Sequence, residues 1–205
     1  MYQEVINAKT KRLFKALIKV REIRNLYLAG GTALALQLGH RKSIDLDWFS
    51  QKDFSITQLK RNLSFLGNFK VESEDKNTLN CVLDGVKLSF FVYPYRLLFP
   101  FINFDSFKLA DEGDIACMKI DAISSRGTKK DFIDLYFLIQ KHPLDKLLDL
   151  FDKKYKGIQY NRLHILKSLV YFEDAENEPM PIMLKRVSWL KIKDKLKREV
   201  KRMVV

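Results

Sequence analysis

The stretch Leu28-Ala29-Gly30-Gly31-Thr32-Ala33-Leu34-Ala35-Leu36, followed by His40-Arg41-Lys42-Ser43-Ile44-Asp45-Leu46-Asp47, decides the reading of this chain. Asn25 to Ala29 is a short apolar run that reads as a buried strand; it enters a double glycine, and Thr32 to Leu38 then carries Ala and Leu at helical spacing. Ser43 to Phe49 alternates Ile44, Leu46 and Trp48 against Asp45 and Asp47, a period of two that predicts a strand with both carboxylates on one face. Two acids so placed repel unless a cation sits between them, and the natural occupant is a divalent ion, Mg2+ or Mn2+, sharing its oxygen ligands with substrate phosphates. Glycines at a strand-to-helix turn let backbone N–H groups approach a triphosphate, whose charge the helix N-terminus stabilises. Thirteen residues lie between Gly31 and Asp45, enough for one short helix and a return strand that brings both parts of the site together.

Each feature also has a plainer reading. The aspartates fit the wet edge of a half-buried strand, and the glycines fit a tight turn. Arg41 can pair with Asp45 or offer its fork to phosphate oxygens, the preferred role, and Ser43 can bond locally or to a ligand. His40, without a second histidine at ligand spacing, reads as a helix-end residue.

Outward from this stretch, Glu4 to Glu22 reads as an amphipathic basic helix. Residues 55–65 fit another helix, and strands are expected at 69–72, 78–83 and 86–93, with Asp84-Gly85 as a hairpin turn. Pro94 and Pro100 bracket an apolar crossing segment. Helices follow at 111–126, 129–141, 144–155, 160–171 and 188–203, and Glu173 to Met183 reads as a loose connector separating the last helix from the body. The fold class is α+β: a mixed sheet with a C-terminal helical bundle, divided as 1–105 for the sheet with its basic helix and 106–205 for the helices that complete the cleft.

The 205 residues are 47% hydrophobic and 30% charged, enough apolar material for a folded core. A net charge of +12 favours polyanionic partners. Seven basic residues against one acid lie between Lys9 and Arg24, and nine against two between Lys185 and Arg202, so the two ends can form a continuous RNA-binding surface or simply a solubilising one. Cys81 and Cys117 lack ligand spacing and read as reduced core residues. No apolar signal core or membrane-length stretch is present, which points to a cytoplasmic protein with no membrane partner.

The quoted stretch resembles the polymerase-beta-like nucleotidyltransferase superfamily, and within it the AbiEii/AbiGii toxin family. That family's later motif, a lysine-bearing helix followed by a Lys-Asp-x-x-Asp helix, is resembled by Met118-Lys-Ile-Asp-Ala-Ile-Ser-Ser-Arg-Gly-Thr-Lys-Lys-Asp-Phe-Ile-Asp-Leu-Tyr136. The resemblance implies a nucleotidyltransferase sheet with a helical C-terminal part and metal-dependent transfer of NMP from an NTP to an RNA acceptor, tRNA in related toxins. It also implies a type IV toxin-antitoxin or abortive-infection setting, with a cognate antitoxin acting mainly at transcription.

By the same resemblance Asp45, Asp47, Lys119 and Asp131 carry catalysis, and Asp45 and Asp47 bind the metal. Gly30, Gly31, Thr32, Arg41 and Ser43 bind the nucleotide, and Asp134, Ser89 and Lys130 are secondary candidates. The superfamily usually supplies a third carboxylate from a later strand; here Val86 to Tyr93 contains no acid, and Ser89 stands near its place. Glu72, Glu74 or Asp84 could reach the site instead, or Lys119 and Asp131 could complete it. Lys119 also fits a snorkelling surface lysine, and Thr128 with Asp131 a capping box. A catalytically weakened nucleotide- or RNA-binding protein therefore stays open as an alternative. So does antibiotic-type transfer to a small cationic acceptor, although a chain of this charge would repel a polycation.

Overall fold

The computed structural model describes residues 1–204 of the chain. Its spine is a seven-stranded mixed sheet in the order β3-β4-β5-β2-β1-β7-β6, from β1 (Tyr27–Ala29), β2 (Leu46–Ser50), β3 (Phe69–Asp75), β4 (Thr78–Leu83), β5 (Val86–Val92), β6 (Ile102–Phe104) and β7 (Phe107–Leu109). β2 runs antiparallel to β1 and parallel to β5, which fixes two cross-strand sets: Ala29, Asp47 and Ser89 lie in one row, and Tyr27, Phe49 and Phe91 in another. β6 and β7 form a hairpin, and β7 joins β1 in parallel.

The helices are α1 (Ala8–Leu17), α2 (Gly30–Leu38), α3 (Ile56–Ser64), α4 (Glu112–Ser125), α5 (Lys129–Leu138), α6 (Leu144–Lys154), α7 (Arg162–Ser168), α8 (Glu173–Glu176) and α9 (Trp189–Val204). Adjacent strand residues point to opposite faces. Trp48 therefore faces away from Asp47, and it packs edge-on against Phe14 of α1 at 6.3 Å. α4 and α5 cover the Asp47 face, where α9 packs on α5 through Trp189 and Phe132. α1 thus packs on the Trp48 face and α9 on α5, while Lys185, at the start of the C-terminal basic run, lies over the ring of Tyr2 near the N-terminus.

Three other expectations change. The N-terminal helix is broken, with 3-10 turns at Gln3–Val5 and Glu22–Asn25 on either side of a ten-residue α1. Between Pro100 and the helices, where no element was expected, a two-stranded hairpin forms, and residue 105 lies in its turn, where Asp105 takes φ +50°. The stretch 173–183 is tied down. Lys129 Nζ bonds the carbonyl oxygens of Glu176 and Glu178, Lys42 N–H donates to Ile182, and Arg41 bridges Met183.

One apolar cluster runs through sheet and helices alike, and both cysteines are free and buried within it. Asp114, in the first turn of α4, is fully buried and pins α6 by an ion pair to Lys154 at 2.8 Å while accepting the N–H groups of Leu98 and Phe99. Among the described residues no helix is long and apolar enough to cross a membrane.

Candidate active site

β1 ends at Ala29 and α2 begins at Gly30, whose φ of +67° suits glycine. A Cβ there would lie 2.5 Å from Asp47 Oδ2, and a Cβ on Gly31 would collide with the Arg41 guanidinium. The double glycine thus gives room to two side chains of the site, a reason the tight-turn and phosphate-approach readings did not contain. Thr32 is buried, and its hydroxyl donates to the Asp45 carbonyl and lies 2.8 Å from Ser43 Oγ. It latches the acidic segment to α2 and does not line the cleft.

β2 starts only at Leu46, so Asp45 precedes the strand and Ile44 is exposed rather than inward. Asp45 and Asp47 nevertheless open into one cleft of about 470 Å³, with Gly31, Arg41, Ser43, Ser89, Lys119, Lys130 and Asp131 also in its wall. Burial pushes the Asp47 carboxyl above its ordinary pKa, opposed by Lys119 and reinforced by Asp45. That is the electrostatic demand a divalent cation would relieve. Among the described residues no three His, Cys, Asp or Glu side chains gather as a metal cage, so a metal here would take its other ligands from phosphate oxygens and water.

The opposite wall is a buried ion network. Lys119 of α4 is 6% exposed and lies 2.8 Å from Asp131 Oδ1 and 2.6 Å from Asp134 Oδ2, both on α5, so it is not a snorkelling surface lysine. Asp134 is fully buried and also takes Arg41 Nε at 2.7 Å, Arg41 Nη2 at 2.9 Å and His40 Nε2 at 2.7 Å. Arg41 is therefore committed to Asp134 and pairs with neither Asp45 nor solvent, although its edge lines the cleft. His40, expected as a helix-end residue, is part of this buried set. The spacing of Asp131 and Asp134 put both on one helix side, but nothing in the sequence ties either to His40.

Burial alone would push the Lys119 ammonium down, but Asp134 and Asp131 outweigh it and hold its pKa above the ordinary lysine value. Burial would likewise raise both carboxyls. Arg41 and Lys119 instead hold Asp134 well below the usual range, and Lys119 and Arg126 hold Asp131 below it. Burial dominates at His40 and lowers it. Asp131 caps no N–H through a box; the Thr128 hydroxyl donates to it at 2.8 Å, and the N–H of Lys129 is satisfied by Glu178 from the tied segment.

Ser89 stands opposite Asp47 in register and in the cleft wall, as its position suggested. Glu72, Glu74 and Asp84 do not line the cleft: Glu74 pairs with Lys60, and Asp84 closes the 84–85 turn against Asn68 N–H. Lys87, Arg126, Thr128 and Glu178 are cleft residues that sequence reading missed. Lys87 was legible in principle, two residues from Ser89 on the same strand face, whereas Glu178 arrives from a segment without periodicity.

Comparison with other proteins bears on the fold and the family of the chain. A crystal structure of a Helicobacter pylori protein described as a candidate nucleotidyltransferase superposes with a TM-score of 0.57 at 16% identity, covering 100% of this chain and 98% of that one. ANT(2")-Ia, solved in complex with adenylyl-2"-tobramycin, superposes with a TM-score of 0.53 at 15% identity over 73% of this chain and 99% of its own. Both likenesses bear on the fold alone. An uncharacterized protein of Aquifex aeolicus (strain VF5) is 40% identical over 202 residues, 96% of each chain. The family model described as "Nucleotidyl transferase AbiEii toxin, Type IV TA system" matches residues 12–105 and 93–202, and the chain belongs to this family of the polymerase-beta-like nucleotidyltransferase superfamily.

Proposed function

We propose that the chain transfers a nucleoside monophosphate from an NTP to an RNA acceptor, tRNA foremost, and acts as the toxin of a type IV toxin-antitoxin or abortive-infection pair whose antitoxin is encoded nearby. The observation that carries the chemistry is Lys119, an ammonium kept charged by Asp131 and Asp134 and turned toward the cleft that Asp45 and Asp47 line from the other wall. Its charge, with that of Lys87, Arg126 and Lys130, would neutralise the triphosphate and the leaving pyrophosphate. Asp131, engaged by three donors and held at low pKa, is a poor proton acceptor and suits the role of orienting Lys119. Arg41 is a positioning residue that fixes Asp134. Asp45 and Asp47 would hold Mg2+ or Mn2+, which supplies electrophilic charge to the phosphates when bound.

The test incubates purified protein and total RNA with each labelled NTP in Mg2+ or Mn2+. Label should enter RNA, and Asp45→Asn, Asp47→Asn and Lys119→Met should each lower single-turnover transfer by roughly 100-fold or more with the protein still folded. No labelled RNA with any NTP and either ion would end the proposal. Ser89 favours a second reading, a weakened relative that binds nucleotide or RNA without turnover, because a hydroxyl stands beside Asp47 where an acid is usual. Under that reading only Ser89→Asp turns over.

A further inference from the structure

The cleft at Asp47 has a second arm with different chemistry. From Asp47 the same sheet face continues to Phe49 and Phe91, whose rings stack at 5.1 Å, and to Tyr93. Met118 and Ser125 of α4 roof these rings and enclose about 320 Å³. Phe91, Tyr93 and Met118 are only half-buried, so their apolar surface is open to a ligand. The acid set apart in this arm, Asp121, repels phosphate. The cations Lys87 and Lys130 lie in the first arm alone, and the two arms meet at Gly31, Asp47, Lys119, Arg126 and Asp131.

Displacement at phosphorus places the attacking oxygen and the leaving group roughly in line on opposite sides of the phosphorus. Triphosphate charge belongs in the cationic arm, so the attacking hydroxyl must come from the other. We propose that the aromatic arm holds the terminal base of the acceptor, an unpaired 3′ end of RNA, stacked on Phe91 and Met118. This rests on the nucleotidyl-transfer reading above. The acceptor 3′ oxygen forms the new bond to the α-phosphorus as the bond to the β-phosphate oxygen breaks, pyrophosphate departs into the cationic arm, and the hydroxyl proton passes to water. Aromatic and thioether surfaces take any base by its face, so the arm selects an unpaired end rather than a base sequence.

The test is fluorescence anisotropy with a 5′-labelled single-stranded RNA oligonucleotide and the same strand ending in an abasic 3′ sugar. Removal of the terminal base should weaken binding to the wild-type protein about tenfold, the scale of one base stacked on aromatic surface. Phe91→Ala and Met118→Ala should bind the two strands alike while retaining calorimetric affinity for NTP. Equal binding of the two strands by the wild type overturns the assignment. So does a variant that loses NTP affinity instead, which would give the arm to the base of the NTP. Should Phe91→Ala fail to fold, the wild-type comparison and Met118→Ala decide. Failure of the transfer reading itself would appear separately, as unlabelled RNA with wild-type protein, while the strand comparison still reports on the arm.

Discussion

Replacing Asp134 with Asn removes the one negative charge that touches His40, Arg41 and Lys119 at once. The carboxylate is fully buried, and the two permanent cations it compensates are 3% and 6% exposed. Asparagine keeps the shape but leaves the buried Arg41 guanidinium without its ion-pair partner and the Lys119 ammonium with Asp131. Removing one partner from a buried ion pair costs about 3–5 kcal/mol, a large share of the roughly 5–15 kcal/mol that stabilises a typical domain. At about 2–4 °C per kcal/mol for a chain of this size, the melting temperature should fall by roughly 6–20 °C. Lys119→Met should cost less, since Asp134 keeps Arg41 and His40, and Asp131 keeps Arg126 and Thr128. Restoring charge balance in the double variant should recover part of the Asp134→Asn loss, a favourable coupling in a double-mutant cycle. Urea titrations and melts of the three variants measure it. A melt for Asp134→Asn within about 2 °C of wild type, or single effects that simply add, would refute the claim that these charges hold one another in place.

Gly30→Ala forces a side chain onto φ +67° and into the Asp47 carboxylate, so it should lose roughly 1–2 kcal/mol of stability by urea titration and more nucleotide transfer than that implies. A variant as active per folded molecule as wild type would show that Asp47 can shift freely. Because Asp131 and Asp134 are held below the usual carboxylate range, the unfolded chain takes up protons at these positions first. Their contribution is full above the unfolded carboxylate pKa of about 3.9 and is lost as pH falls through the lower folded values. His40, lowered by burial, adds a loss that begins as pH drops below about 6.5, where the unfolded imidazole charges and the folded one does not. Urea midpoints followed from pH 7.5 to 3 should show both, and Asp134→Asn should remove most of the acid limb.

The strand, double glycine, helix and acidic strand were legible because each is local: period, turn chemistry and spacing within about twenty residues carry them. The same locality explains the errors. Ile44 alternates with the acids yet is exposed, because the Thr32 hydroxyl holds the Asp45 carbonyl and strand pairing begins only at Leu46. β6 and β7 escaped notice since three-residue strands are too short for a period. The connector at 173–183 reads as loose from its prolines and acids, but it is held by hydrogen bonds to Lys129 and Lys42 that only the folded chain brings near.

The ion network was the least legible part, since Asp134 meets His40 and Arg41 across 94 and 93 residues and no rule of spacing says which of 25 acids finds which of 37 bases. Family resemblance pointed to Lys119 and Asp131 as a pair but not to His40 and Arg41, which Asp134 joins to them. Their geometry explains why the helical half belongs to the site at all. The sheet places Asp45 and Asp47 where they repel each other, and a cleft with acids on one wall alone would reject a triphosphate. Asp134 draws Arg41 from the loop before β2 onto α5, and the same carboxylate holds Lys119 at the cleft. Docking the helices on the sheet and setting Lys119 in the cleft wall are therefore one event, and under the proposed function a variant that frees Lys119 from α5 should lose nucleotide affinity even where the sheet stays intact.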